Sequence, residues 1–356
     1  MNYIGSKKTL LPFLEKSIYE VTQNRDFVLM DLFAGTGAVG QHFKKNGHPV
    51  IANDLQYYSY VLNKNYIENS QTLLFQHLLE EIPELKSLEQ SERANKVCEY
   101  LHQIEGSEGF IYQNYCLGGT RGEEYERQYF SDSNGKKVDA LRQKIEVWKE
   151  NKFIDESEYY FLLASLIEGI DKVANTASVY GAFLKHLKKS AQKEFIMTPA
   201  NFVMSKQKHQ VFNYSIEKVI HEVKGGVLYL DPPYNHRQYA PNYHLLETIA
   251  RYDSPKLKGK TGLREYTQQI SKFAQKKGVL EAFKYIIKHA QARYIFLSYN
   301  NEGLLGLEDI EEIMSSRGKY GVFSQEYARF KADKDINRTH KADSVNEYLH
   351  FVKVDK

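Results

Sequence analysis

Cysteine, tryptophan and proline are scarce in this chain: two, one and eight among 356 residues. Cys98 and Cys116 join no Cys/His cluster with metal-ligand spacing, so a structural zinc is not expected and no metal is assigned. Long apolar runs are missing as well. No 18 consecutive apolar residues occur, and the stretch from Met1 to Lys8 lacks the apolar core of a secretory signal, so a soluble, cytoplasmic protein without membrane contact is expected. Charge of one sign is also in short supply. Forty-eight Lys+Arg against 45 Asp+Glu leave a net charge of +3, too mild for a protein that binds nucleic acid by bulk electrostatics alone, so any basic surface must be local. No internal repeat or low-complexity tract appears. Aromatic rings are plentiful instead, with 27 Tyr and 19 Phe. Most belong in cores with their hydroxyls bonded, leaving a minority to stack on bases.

The order of patterns predicts an α/β protein with a doubly wound, seven-stranded, Rossmann-like sheet. From Met1 to about Tyr57 the chain reads helix, strand (Val28 to Phe33), glycine turn, helix, strand (Pro49 to Asp54). From about Lys208 onward, strand-like runs occupy Gln210–Asn213, Val227–Leu230, Tyr294–Ser298, Ser324–Phe330 and Glu347–Val354, with helical patterns such as Leu280–Ala290 between most of them. The last two runs flank a polar stretch, Lys331 to Asn346, and are expected to pair as an antiparallel hairpin. Residues 58–207 break the alternation. Amphipathic stretches at Leu73–Leu85 and Glu156–Ala174 are helical in period, which predicts a mainly helical lobe inserted between the second and third strands. The expected division is therefore 1–57 with 208–356, and 58–207 between them.

Two motifs fall at strand ends, where open α/β sheets bind ligands. Asp31-Leu32-Phe33-Ala34-Gly35-Thr36-Gly37 closes the first strand. Its glycines permit a tight turn and close backbone approach, and the next helix offers its N-terminus to an anionic group. With Gly40 the run satisfies G-x-G-x-x-G, and Asp54 ends the second strand where an acid can take ribose hydroxyls. NAD and S-adenosyl-L-methionine share an adenosine half, so these residues alone leave both cofactors open. The second motif, Asp231-Pro232-Pro233-Tyr234, follows the buried run Gly226–Leu230. An acid, two prolines of restricted φ and an aromatic make a rigid, polar, flat-faced ledge. It offers acceptors for an amino group and a ring for a planar base, which suits methyl transfer to an exocyclic base nitrogen.

Together with Asn2-Tyr3-Ile4-Gly5-Ser6-Lys7, these motifs occur in the order of the Dam-like, alpha-group adenine-N6 DNA methyltransferases, which the chain resembles over its first ~57 and last ~150 residues. The resemblance implies that S-adenosyl-L-methionine is the cofactor and double-stranded DNA the substrate. It places Tyr3, Lys7, Asp31, Phe33, Gly35, Gly37, Asp54 and Asp231 at the cofactor. Asp231, Pro232, Pro233 and Tyr234 become the catalytic set, acting on an adenine flipped from the duplex. It suits the modification enzyme of a restriction-modification system, with a separately encoded cognate restriction endonuclease as a candidate partner, and leaves an orphan enzyme open. The inserted segment is longer than in the simplest Dam pattern, so base specificity does not carry over.

For DNA contacts the sequence offers three stretches. Asn175, Thr176 and Ser178 are small polar residues suited to base edges, and Lys185, Lys188 and Lys189 to phosphates. Arg121 sits in the loop Gly118–Gly122. Arg237 and Tyr239 follow the ledge, where polar and aromatic side chains alternate. The competing readings are weaker. Ribosomal RNA guanine-N2 methyltransferases share the loop and ledge but lack the N-terminal motif and the long insertion. Protein glutamine methyltransferases favour Asn at the position of Asp231, and cytosine-C5 enzymes need a Pro-Cys that is absent here. An NAD-dependent oxidoreductase would leave Asp231–Tyr234 idle. A non-catalytic DNA-binding protein would have no use for the glycine loop.

Overall fold

The computed structural model describes residues 3–23, 26–328 and 344–355. They form two compact units, each assembled from segments distant in sequence.

One unit comprises Ile4–Asn63, Ser205–Tyr239 and Gln268–Lys356 and holds a seven-stranded sheet. Its strands are β1 (Leu29–Asp31), β2 (Val50–Asn53), β3 (Gln210–Phe212), β4 (Gly225–Leu230), β5 (Ala292–Asn300), β6 (Gly318–Ala328) and β7 (Ser344–Val354). They lie in the order β3-β2-β1-β4-β5-β7-β6. Neighbours from β3 to β5 run parallel, while β7 is antiparallel to both β5 and β6. The order reverses between β1 and β4, a switch point of the kind that opens a crevice for ligands. β1 and most of β4 are buried, as expected of central parallel strands covered on both faces. One covering layer is apolar and continuous, with Ile216, Val219 and Ile220 joining Phe283, Ile286 and Ile287 against Leu228, Leu230, Ile295 and Leu297.

The other unit comprises Met1–Tyr3, Lys64–Met204 and Ala240–Thr267. Its long helices are Gln90–Gln103, Asp132–Glu150 and Glu156–Val173. The last starts from a complete capping box, with Asp155 and Glu158 each accepting from the other's backbone N–H. Trp148 is fully buried, its indole N–H donated to Glu81.

The strands lie close to where the alternation of apolar runs predicts them, and β6 and β7 do pair as an antiparallel hairpin. Arg329 and Phe330 of the expected strand and residues 331–343 of the expected connection fall outside the described residues, and the connection's last residues, Ser344 to Asn346, belong to β7. Two expectations need correction. Leu73–Leu85 is not a helix but carries two short 3₁₀ turns, Gln76–Leu78 and Pro83–Ser87. Phe75 there adopts a left-handed φ of 47° and gives its N–H to the buried Glu158 carboxylate, while Pro83 has no N–H to continue a helix. Residues 240–267, assigned by sequence to the sheet segment, cluster instead with the helices. The buried Arg142 guanidinium takes the carbonyls of Ile249 and Ala250 at the end of helix His244–Arg251, which anchors the segment there.

Candidate active site

The glycine loop and the ledge leave adjacent, parallel strands, with Asp31 of β1 in register with Tyr229 of β4. After β1 the chain turns through Gly35 and Gly37 at φ of 51° and 76°, a region where only glycine is unstrained. A Cβ on Gly37 would lie 2.7 Å from Oδ1 of Asn63. Asn63 in turn gives its amide to the carbonyls of Gly35 and Ser59. Helix Ala38–Lys45 follows at once, its first N–H groups facing the loop.

Asp54 closes this loop from the end of β2. One carboxylate oxygen accepts from the N–H of Gly35 at 2.8 Å and the other from the N–H of Gln56 at 2.8 Å. Asp31 is buried, with backbone N–H groups of Gly40 and Phe33 donating to it and its Oδ1 without a hydrogen-bond partner among the described residues. Burial, then the nearby Asp231 and Asp54, push its carboxyl well above the ordinary range. Phe33 packs edge-on against Phe273, with ring centroids 5.2 Å apart.

The ledge carries the other half of the site. Asp231 follows β4 and is 17% exposed. Lys7 reaches it from the N-terminal motif, with Nζ 3.1 Å from Oδ1. The same ammonium lies 2.8 Å from Oε1 of Glu347, which is fully buried on β7 and also accepts from the hydroxyl of Ser298. Oε2 of Glu347 has no hydrogen-bond partner among the described residues. One cation is thus held between two carboxylates. Burial works against the charge on Lys7, but Asp231 and Glu347 outweigh it and hold the ammonium well above its ordinary pKa. Burial pushes Asp231 up to about 6, Lys7 pulling it down and Glu347 adding to the rise. The carboxylate is therefore ionised at neutral pH but within reach of a proton. Tyr234 is half-buried, edge-on to Tyr299 at 5.9 Å, and the Lys7 ammonium lies 5.6 Å from its ring centre.

The structure brings together Lys7, Asp31, Phe33, Gly35, Gly37, Asp54, Asp231 and Tyr234 around the carboxyl ends of β1, β2 and β4. Lys7, expected beside a cofactor, has its ammonium committed to Asp231 and Glu347. Tyr3 is buried in the helical unit, stacked on Tyr243 at 4.8 Å. Tyr239 donates its hydroxyl to the carbonyl of Ile4, so it fastens the N-terminal motif rather than standing clear for DNA. Arg237 is exposed.

In the helical unit, Asn175 is fully buried. Its amide donates to the carbonyls of Gln128 and Leu184, and its oxygen accepts from the N–H of Lys188. That side chain has been spent on its own loop and cannot also reach a base edge. Thr176 is buried, and its carbonyl takes the Lys188 ammonium at 2.6 Å. Ser178 is half-buried at a φ of 79°. Lys185, Lys189 and Arg121 are exposed. Glu347 went unassigned in the sequence, where it reads as one polar residue at the head of an alternating strand. Among the described residues, no helix is long and apolar enough to cross a membrane and no cluster of His, Cys, Asp and Glu has metal-binding geometry.

Residues 3–314 match the family of D12 class N6 adenine-specific DNA methyltransferases. The chain is 52% identical over 354 residues to the type II methyltransferase M.NlaIII of Neisseria lactamica, with 99% of each chain covered. It is 33% identical over 358 residues to M.CviAII of Paramecium bursaria Chlorella virus 1, covering 99% of that protein. To M.FokI of Planomicrobium okeanokoites it is 37% identical over 360 residues but spans 53% of that longer protein. The chain belongs to the D12 class of N6 adenine-specific DNA methyltransferases.

Proposed function

We propose that this D12-class enzyme takes its methyl group from S-adenosyl-L-methionine and places it on an adenine swung out of double-stranded DNA, as the modification partner of a separately encoded restriction endonuclease in the cytoplasm. The reading rests above all on one arrangement: a glycine loop closed by Asp54 beside a ledge whose acid is ion-paired with Lys7. The residues suit the cofactor. Gly35 and Gly37 let its methionine end approach the backbone, Asp54 stands at the end of the second strand where an acid can take ribose hydroxyls, and Phe33 and Asp31 line the strand end below. When bound, the cofactor supplies a methyl group on a positively charged sulfur.

The chain's own residues do the rest. The adenine amino group is a poor nucleophile because its lone pair is delocalised into the ring. Asp231 accepts one N6–H and the carbonyl of Pro232 the other, which favours a tetrahedral nitrogen with its lone pair free for in-line attack. Tyr234 offers its ring to the extruded base, and Pro233 holds the ring and the acid in fixed relation. After transfer the nitrogen carries one proton too many. Asp231, ionised at neutral pH but with its pKa raised to about 6, is suited to receive it. Lys7 keeps the carboxylate charged beforehand and in place throughout. Much of the acceleration is positioning of the two reactants.

The helical unit would carry target recognition, with Lys185, Lys189 and Arg121 available for phosphates. Incubation with labelled S-adenosyl-L-methionine and duplex DNA, followed by mass spectrometry of the nucleosides, tests the reading. N6-methyladenine is expected. N4-methylcytosine or 5-methylcytosine in its place would overturn it.

A further inference from the structure

The segment from Lys256 to Leu263 holds a feature that the site above does not use. Lys258 and Leu263 face each other in an antiparallel bridge, exchanging hydrogen bonds of 2.8 and 2.9 Å, so residues 259–262 form a tight hairpin turn. Three of the four carbonyls of that turn are taken by side chains from elsewhere in the helical unit. Arg127 donates Nη2 to Gly259 at 3.0 Å and Nε to Lys260 at 3.1 Å, and Tyr115 donates its hydroxyl to Gly262 at 2.7 Å. The Tyr129 hydroxyl, whose one proton goes to the carbonyl of Tyr180 at 2.8 Å, packs 3.2 Å from the carbonyl of Thr261. Arg127 also binds the carbonyl of Asn114, and its N–H is held by Thr120. Tyr115 and Tyr129 are fully buried, so the turn is bolted to the core of its unit.

A mere connection on the surface has no need of three anchored carbonyls, since loops tolerate mobility. Rigidity here is spent on presenting the other side. Lys256, Lys258 and Lys260 are exposed, and a Cβ on Gly259, at a φ of 65°, would meet nothing within 4 Å. The acids nearby are largely spent inside the loops. Glu265 pairs with Lys258, Asp253 with Arg264, and Glu126 accepts from Gly122. The loop bearing Arg121 is tied to the same arginine, through the bond from the Arg127 N–H to Thr120.

We propose that the Lys256–Leu263 hairpin, fixed by Arg127, Tyr115 and Tyr129, is a DNA-backbone docking element in which Lys256 and Lys260 take phosphate oxygens. This rests on the reading of duplex DNA as substrate. Arg127 is a positioning residue, acting through the turn it holds. Pre-ordered cations lose less conformational freedom on binding than lysines on a mobile loop, and each phosphate they neutralise adds about 0.9 to the slope of log affinity against log salt.

The experiment is a salt titration of duplex binding by fluorescence anisotropy, using the full chain. Combining Lys256→Ala with Lys260→Ala should lower the slope by about 2. Combining Lys284→Ala with Lys288→Ala, which removes the same charge from the exposed face of helix Val279–His289 in the sheet unit, should leave it unchanged. Arg127→Lys keeps the charge but cannot hold three carbonyls at once. It should weaken binding while the turnover at saturating DNA stays near that of the unaltered enzyme. Hairpin variants that keep the original slope would overturn the proposal and leave the substrate reading standing. An unaltered protein with no salt-dependent affinity for duplex would overturn both.

Discussion

The two units treat buried carboxylates differently. In the helical unit, Asp139 takes the N–H groups of Ile111 and Tyr112, and Glu158 those of Phe75 and Asp155, one on each oxygen. Asn175 is likewise tied to the backbone of Gln128, Leu184 and Lys188, and Asn134 to that of Ala191, Lys193 and Phe195. In the sheet unit, two buried acids keep an oxygen without a hydrogen-bond partner among the described residues, Oδ1 of Asp31 and Oε2 of Glu347, and each faces the charge of Asp231. A buried polar atom left unpaired costs free energy. That cost is tolerated where it prepares chemistry, and avoided where the task is to hold loops still. The difference teaches which substitutions should silence the enzyme and which should unfold it.

The sharpest test is Asp231→Ala. The ledge loses its acceptor and proton recipient, so the transfer rate should fall by roughly 10²–10⁴-fold, the usual contribution of acid–base groups. Cofactor and DNA binding should persist in titrations. Near-normal turnover in the variant would show that the strand ends do not hold the chemistry.

The helical unit should answer in the opposite way. Asn175→Ala leaves two carbonyls and one N–H in a part-buried setting unmatched and should cost roughly 2–4 kcal/mol of stability. Thermal melting should show the loss, while the set of methylated sites, read by sequencing, should be unchanged. A variant of normal stability with altered site choice would return Asn175 to the base-reading role suggested by its place in the sequence.

Asp54→Ala sits between the two behaviours, because Asp54 braces Gly35 and is also proposed to take the ribose hydroxyls. Cofactor affinity in calorimetry should weaken by about 1.5–3 kcal/mol, the range for hydrogen bonds to a charged group. Unchanged affinity in a folded variant would remove Asp54 from the cofactor site. Tyr234→Ala should cost about 1–3 kcal/mol of catalytic efficiency through lost stacking, with Tyr234→Phe much milder. Equal losses in the two variants would point to the hydroxyl instead of the ring.

What the sequence makes legible in this molecule is local. Gly35, Gly37 and Asp54 lie within one βαβ stretch, and Asp231–Tyr234 are contiguous, so composition and spacing suffice to find them. Tyr239 and Asn175 show the limit. A tyrosine after a ledge and an asparagine before a basic run read as nucleic-acid contacts, but their partners, Ile4, Gln128 and Leu184, are set by tertiary structure. The same holds for residues 240–267, whose place is fixed by the reach of Arg142 to Ile249 and Ala250. Glu347 is the clearest case. It meets Lys7 only because β7 turns antiparallel to β5, with Glu347 opposite Asn300 in that register.

The smallest effect to look for concerns that same glutamate. Asp231 must be ionised to accept an N6–H, so transfer should decline as pH falls through about 6, where Asp231 takes up its proton. Glu347 contributes to this raised value, after burial, because its charge opposes a second negative charge beside Lys7. Glu347→Gln keeps the shape and can still meet Ser298 and Lys7, but removes the charge. The Lys7 ammonium then faces Asp231 alone, so the ionised form of Asp231 is favoured and the acid limb of the pH–rate profile should move to lower pH. A purely structural role for Glu347 would lower the rate at every pH and leave the limb where it is. The outcome that breaks the comparison is a limb that moves upward: Glu347 would then be stabilising the Asp231 charge, and the crowding of acids at the strand ends would not be what raises its pKa.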